Sequence, residues 1–295
     1  MKTYRVLIVG ASGLVGSNCL DYLRKQKDFE VEGTFFSYQI EGLHFFDTLN
    51  LDKAENFRIE EFKPTYILHA GALTHVDYCE SHQEESYLKT VQSTRNILSL
   101  AEKLDSRVIY ISTDYVFDGL AGPYNEEAKV NPLSIYAKHK LEAEMLVRNQ
   151  SPQNLIIRVT NVYGDEARNK NFVARLLEMG TNREEATLNL PVDQYATPVN
   201  ALDVARALYL LIRDSKSGVY NIASTDYLNR VQLAQKVMRH FSDNQVSIIS
   251  KFTSDLNQPA LRPLQGGLKS AKFLTEYPYF YFSSVDEYLN SKIRI

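Results

Sequence analysis

Tryptophan is absent from this chain of 295 residues, and cysteine nearly so: Cys19 and Cys79 are too few for a disulfide scaffold and not spaced as a metal site, which fits a reducing compartment. No run of 18 apolar residues exists, which excludes a membrane-spanning helix. After the charged opening Met-Lys-Thr-Tyr-Arg, the apolar run Val6 to Val9 is well short of a signal-peptide core, so a cytoplasmic location is expected. Positive charge is not in excess either. With 33 Lys+Arg against 36 Asp+Glu the net charge is −3, and no broad positive field is available to attract a nucleic acid. Internal repeats and low-complexity tracts are also missing. What is present is a 44% apolar content, enough to fill a sizeable core in one large domain or two modest ones.

Val6 to Val9 reads as a strand buried on both faces, and Leu14 to Lys27 as an amphipathic helix. The alternation continues with strands at Glu30 to Phe36, Pro64 to His69, Arg107 to Ser112 and Asn154 to Val159. Helices are expected at Lys53 to Phe62, Glu84 to Leu104 and Leu133 to Arg148. This rhythm predicts an α/β fold, a Rossmann-type doubly wound parallel sheet covered on both faces. Beyond Val159 the rhythm loosens: helices at Phe172 to Met179, Ala201 to Arg213 and Arg230 to Phe241, extended pieces at Ala186 to Leu190 and Tyr195 to Thr197, and a sixth sheet strand at Gly218 to Ile222. The expected division is a dinucleotide-binding domain over residues 1–164, rejoined by 195–223, and a smaller substrate lobe over 165–194 and 224–295.

Gly10-Ala-Ser-Gly13-Leu-Val-Gly16 closes the first strand and opens the first helix. In that position Gly10 permits a tight turn, Gly13 lets the backbone approach a pyrophosphate, and Gly16 allows close helix packing, with the helix N-terminus favouring the phosphates. Ser12, Leu14 and Val15 complete this cofactor loop. The second strand ends in Gly33-Thr34-Phe35-Phe36-Ser37-Tyr38 without a carboxylate to grip a ribose 2′-hydroxyl. NADP is therefore favoured over NAD, with Thr34 and Ser37 as hydroxyl partners for its 2′-phosphate; no arginine lies alongside.

Tyr136 and Lys140 stand one helical turn apart, where an ammonium lowers the pKa of a phenol and equips it to protonate a carbonyl oxygen as hydride arrives. With 19 Tyr and 17 Lys in the chain, about one such spacing is expected by chance, so the pair is not diagnostic alone. Its context strengthens it: the fourth long strand ends in Ser112-Thr113-Asp114-Tyr115-Val116-Phe117-Asp118-Gly119, at the carboxyl edge where ligands of parallel sheets bind, and Thr113 is placed to hold the substrate carbonyl.

These motifs, with His69-Ala-Gly-Ala72, Thr74-x-Val76-Asp77, Arg158 to Gly164, Asp193-Gln194-Tyr195-x-x-Pro198 and Arg262-Pro263, resemble the extended short-chain dehydrogenase/reductases, and within them the dTDP-4-dehydrorhamnose reductases. The resemblance spans nearly the whole chain. It implies a catalytic Thr113, Tyr136 and Lys140, and a nucleotide-sugar substrate in dTDP-rhamnose-type metabolism. It further implies cofactor contacts from Asp52, Ala70, Ala72, Tyr136, Lys140 and Arg158, with Lys140 meeting the nicotinamide ribose. Substrate contacts follow from Thr74, His75, Asp114, Tyr115, Asn161, Gln194 and Arg262. It leaves a homodimer open and calls for no metal; His69 reads as a hydrogen-bonded structural residue. The chain departs from the family at Asn161, where Trp is common, at Gln265-Gly266, where Asn-Ser is usual, and at Thr90 and His69, where Asn is expected. Two other readings attach to the same resemblance: an NAD-retaining epimerase or dehydratase, and a non-catalytic dinucleotide-binding subunit like the β-subunit of methionine adenosyltransferase.

Overall fold

The computed structural model describes residues 3–51 and 57–293. Its order is β1 (Tyr4–Val9), α1 (Leu14–Leu23), β2 (Phe29–Phe35), β3 (His44–Phe45), α2 (Ile59–Phe62), β4 (Tyr66–His69), α3 (Val76–Ser81), α4 (Gln83–Tyr87), α5 (Ser93–Lys103), β5 (Arg107–Thr113), α6 (Ile135–Gln150) and β6 (Leu155–Val159). There follow α7 (Phe172–Asn182), β7 (Ala186–Pro191), β8 (Tyr195–Ala196), α8 (Ala201–Arg213), β9 (Gly218–Asn221), β10 (Leu228–Asn229), α9 (Arg230–Met238), β11 (Val246–Lys251), α10 (Ala271–Glu276) and α11 (Val285–Lys292).

Seven strands form one parallel sheet in the order β3-β2-β1-β4-β5-β6-β9, so the strand order reverses between β1 and β4. Alternate residues of β1 feed two cores, as the pleat requires. Val6 and Ile8 join Leu20 and Leu23 of α1 and Leu208 and Leu211 of α8. Leu7 and Val9 join Ile97 of α5 and Ala143 and Val147 of α6. A third cluster unites Leu176 of α7, Val237 of α9 and Leu289 of α11, against which Leu188 of β7 and Ile248 of β11 pack. The β7–β11 pair is a separate parallel two-stranded sheet.

The six expected sheet strands are all present, their ends shifted by a residue or two, and β3 is an addition. Of the helix expected over Lys53 to Phe62, only its last turn is α2; Asp52 and the four residues after it lie outside the described residues. The long helix expected over Glu84 to Leu104 is continuous but contains a π-helical turn at Leu88–Gln92 between α4 and α5. Helix α6 begins where Ser134 accepts a hydrogen bond from Ala137 N–H at 3.3 Å, and this cap sets the registers of Tyr136 and Lys140.

Arg158 requires a correction. Its side chain faces α6, not the ligand edge: Nε and Nη2 donate to the two carboxylate oxygens of Glu144 at 2.9 and 2.7 Å, both residues are buried, and the guanidinium lies over Phe117. A guanidinium committed to a buried bidentate pair is not available to a cofactor. Removing one partner strands the other charge. Arg158→Met should therefore cost about 3–5 kcal/mol in urea unfolding, and adding Glu144→Leu should recover most of that loss; an equal loss in the single and double variants would contradict the charge-stranding account.

Candidate active site

The phosphate loop sits at the strand-order reversal. Gly10 adopts φ +87°, and a Cβ there would stand 2.8 Å from Gly71 N, so the first turn is pressed against the end of β4. A Cβ on Gly16 would lie 2.3 Å from the Gly10 carbonyl oxygen. At Gly13, by contrast, the nearest atom to such a Cβ is Gly10 O at 3.5 Å, so the space on that side is open. Gly13 is also the N-cap of α1 and supplies no side-chain cap, which leaves the helix opening to a ligand. Ser12, Leu14 and Val15 line this half-buried turn, with Ala70 and Ala72 at the adjoining β4 end. This donor set and open space fit a dinucleotide pyrophosphate.

At the end of β2 the two expected hydroxyls separate. Thr34 is buried and its hydroxyl donates to Ile8 O at 3.4 Å, inside the sheet, so it is withdrawn from any 2′-phosphate contact; Ser37 is exposed.

Thr113 ends β5 and Tyr136 and Lys140 lie in the first two turns of α6; the structure brings Thr113 and Tyr136 into contact, with Lys140 one turn along the helix from Tyr136. The Thr113 hydroxyl stands against the Tyr136 phenol, and the Tyr136 ring meets Tyr115 edge-on at 5.9 Å between centroids. Lys140 is buried; its Nζ donates to Ile111 O at 2.6 Å and lies 4.1 Å from the Tyr110 ring centre. Burial pushes the Tyr136 phenol well above the usual value, with Thr113 opposing, and Lys140 is pushed down by burial to about 7, with Glu144 opposing. The expected lowering of the Tyr136 pKa by Lys140 is thus not found. An amine titrating near 7 is only half charged at neutral pH, and this one is turned to a carbonyl and a ring face. His69 is buried, its Nε2 3.4 Å from the Ser93 hydroxyl, and burial, then Lys140, pushes it down to about 3.

Among the residues expected to meet substrate, Thr74 and His75 are exposed, and His75 Nδ1 caps α3 by accepting Tyr78 N–H at 3.0 Å. Tyr115 lies beside Tyr136, between two arginines whose charges oppose the burial that raises its pKa. One is Arg262, whose guanidinium donates to both oxygens of Asp77 at 2.8 and 2.6 Å; though burial opposes it, that pairing and the Ala260 N–H hold Asp77 below the usual carboxylate range. The other, Arg230, was not expected. Its Nη2 donates to Asn161 Oδ1 at 2.7 Å, it lies over Phe172, and among the described residues it has no carboxylate partner. The only sequence signal for it is Asn161 in place of Trp. Gln194 is held by Thr253 and Gln258. Asp114 is corrected from a substrate contact to an internal tie: it is buried, Oδ2 accepts Thr160 Oγ1 at 2.7 Å and Gly267 N–H at 3.1 Å, and Oδ1 faces the Thr113 hydroxyl at 3.4 Å. A Cβ at Gly266 would stand 3.1 Å from that carboxylate and 3.1 Å from Tyr195 O, a tight approach on both sides.

The Lys140 shift fixes the sign of a pH effect. Its pKa falls from 10.5 in the unfolded chain to about 7 in the fold, so the unfolded chain binds more protons between those values. The stability tied to this site is therefore complete above the upper value and is lost as pH falls through about 7. Parent stability measured against Lys140→Met should climb between pH 7 and pH 9; a constant difference would show that the amine is not depressed.

The profile of the RmlD substrate binding domain family matches residues 4–289. A dTDP-4-dehydrorhamnose reductase of Aggregatibacter actinomycetemcomitans is 29% identical over 280 residues, covering 91% of each chain. Methionine adenosyltransferase 2 subunit beta of Xenopus laevis is 30% identical over 237 residues, covering 78% of this chain and 70% of that one. The crystal structure of a Bacillus anthracis dTDP-4-dehydrorhamnose reductase in complex with NADP superposes with a TM-score of 0.84 at 25% identity, covering 99% of this chain and 98% of the other. With a glycine-cradled helix opening beside a Thr-Tyr-Lys group, and the family profile running along nearly its whole length, the chain belongs to the RmlD substrate binding domain family of extended short-chain dehydrogenase/reductases.

Proposed function

We propose that the protein is an NADPH-dependent reductase of a nucleotide-activated 4-keto-6-deoxy sugar. The observation that carries this reading is the contact of the Thr113 hydroxyl with the Tyr136 phenol at the carboxyl edge of the sheet that also carries the open helix N-terminus at Gly13. Reduction of a carbonyl needs a proton donor, and the Tyr136 phenol, protonated at neutral pH, faces the same point as the Thr113 hydroxyl. When bound, the dinucleotide supplies the hydride. Thr113 and Tyr136 would hold the substrate oxygen between two hydroxyls, and Tyr136 would give it a proton. Lys140, titrating near 7, is matched to return a proton to Tyr136 at the same pH. The helix opening at Gly13 would hold the pyrophosphate, while Arg230, without a carboxylate partner among the described residues, would face the diphosphate of the sugar nucleotide, as fork-shaped donors suit phosphate oxygens, and Arg262, held by Asp77, would border it.

The reductase names of the Aggregatibacter and Bacillus relatives, and the NADP bound to the latter, support the reading. We assign residues 1–164 and 195–223 to the dinucleotide domain, the rest to a substrate lobe, and the protein to the cytoplasm. A dehydratase would need a free acid beside Thr113, and the engagement of Asp114 with Thr160 and Gly267 argues against one. A second reading, a dinucleotide-binding subunit without turnover, attaches to the likeness to the Xenopus methionine adenosyltransferase subunit; retention of Thr113, Tyr136 and Lys140 favours the enzyme.

Tyr136→Phe should lower kcat with dTDP-4-dehydrorhamnose and NADPH by about 10²–10⁴-fold, the usual range for a general acid, with NADP⁺ binding unchanged. Full turnover by this variant would remove the assigned role. The cradle makes a separate prediction. Gly13→Val should melt like the parent yet lose NADP⁺ binding by calorimetry, whereas Gly16→Val should be strongly destabilised; intact binding by Gly13→Val would place the pyrophosphate elsewhere.

A further inference from the structure

The end of β2 lacks an arginine in the local sequence, but the fold delivers one from the segment between β6 and α7. The Arg168 guanidinium lies over the Tyr38 ring, 5.2 Å from its centre, one residue past the exposed Ser37. The segment that carries it is pinned on both sides. On one side, Asn18 of α1 donates to Asp165 O at 2.8 Å and to Leu14 O at 2.8 Å, which fastens the segment over the opening of α1. On the other, the Asp165 carboxylate accepts the Tyr288 hydroxyl at 3.0 Å and Lys292 Nζ at 2.5 Å, both from α11. The nearby carboxylates are thereby spent. Asp165 is taken by α11, and Glu166 Oε1 accepts Lys170 N–H at 2.9 Å and Asn171 N–H at 2.7 Å. Among the described residues Arg168 has no carboxylate partner. A half-buried guanidinium held over an aromatic ring, with no carboxylate partner among the described residues, is a fork-shaped donor available to an anion.

The location names the anion. A dinucleotide whose pyrophosphate rests on the α1 opening sends its adenosine ribose to the end of β2, where a carboxylate would bind a 2′-hydroxyl and an arginine a 2′-phosphate. Residues 33–38 carry no carboxylate. We propose that Arg168 determines the cofactor preference of this protein by pairing with the 2′-phosphate of NADP, with Tyr38 as its stacking platform and Ser37 as the adjoining hydroxyl. The proposal rests on the dinucleotide-binding reading of the crevice and is independent of which sugar is reduced.

Binding alone tests it. In calorimetric titrations of the full-length protein with NADP⁺, NAD⁺, adenosine 2′,5′-bisphosphate and 5′-AMP, the parent should prefer each 2′-phosphorylated ligand. Arg168→Met should weaken NADP⁺ and the bisphosphate by at least ~10-fold, the scale of a lost charge-assisted pair, and leave NAD⁺ and 5′-AMP within about twofold. Arg168→Lys, which keeps the charge and loses the fork, should fall between. An unchanged thermal melt for each variant separates loss of contact from loss of fold. Equal NADP⁺ affinity in the parent and Arg168→Met overturns the proposal. A parent indifferent to the 2′-phosphate overturns it while leaving the reductase reading standing, and a parent that binds no dinucleotide overturns both.

Discussion

A single buried carboxylate holds the chemistry to the sheet. Asp114, directly after β5, gathers the Thr160 hydroxyl from the end of β6, the Gly267 N–H from the distant C-terminal loop and the Thr113 hydroxyl beside it. Each bond satisfies a group that burial would otherwise leave costly. Together they fix the two strand ends and the 263–267 loop in one arrangement, and the Thr113-Tyr136 contact depends on it. Burial raises the Asp114 pKa, while Thr160 and the Gly267 N–H pull it back toward the charged form they need. Gly266, one of the two positions where the usual Asn-Ser pair is replaced, and Gly267, at φ +87°, let that loop approach so closely.

Behind this junction the polar groups on α6 are ordered by depth. Tyr136 is at the ligand edge, Lys140 one turn further in, and Glu144 a turn beyond that, closed off by Arg158. Glu144 counteracts part of the burial penalty on Lys140, while Arg158 keeps Glu144 itself from standing as a lone buried charge. A group that titrates near neutrality is thus produced without exposing it to solvent, which is the condition for proton exchange at a dry site.

The layout was legible in the sequence wherever one chemical pattern governed a whole element. Continuous β-branched runs marked the central strands, and the glycine spacing after β1 located the cradle. The Tyr136-Lys140 interval on a capped helix brought the two side chains to one face. Other features were not legible. Two-residue β3 has no period to detect, and its pairing depends on β2. The π-helical turn at Leu88–Gln92 leaves no trace in composition. Helix α11 does carry a local signal, the Ser284-x-x-Glu287 capping box. Arg158 followed a family expectation but faces α6, because alternate strand residues take opposite faces. The pKa order of Tyr136 and Lys140 reversed the expectation because desolvation is a tertiary quantity. Arg230 and Arg168 are not legible from local sequence because each meets its neighbour, Asn161 or Tyr38, from an element remote in the chain.

The segment between β6 and α7 has a mechanical consequence. Its Asp165 is bonded through the carbonyl to α1 and through the carboxylate to α11. One residue is therefore a shared bearing for the helix that opens on the pyrophosphate and the last helix of the chain. Any rocking of α11 relative to the sheet must either break this bearing or drag the mouth of α1 with it.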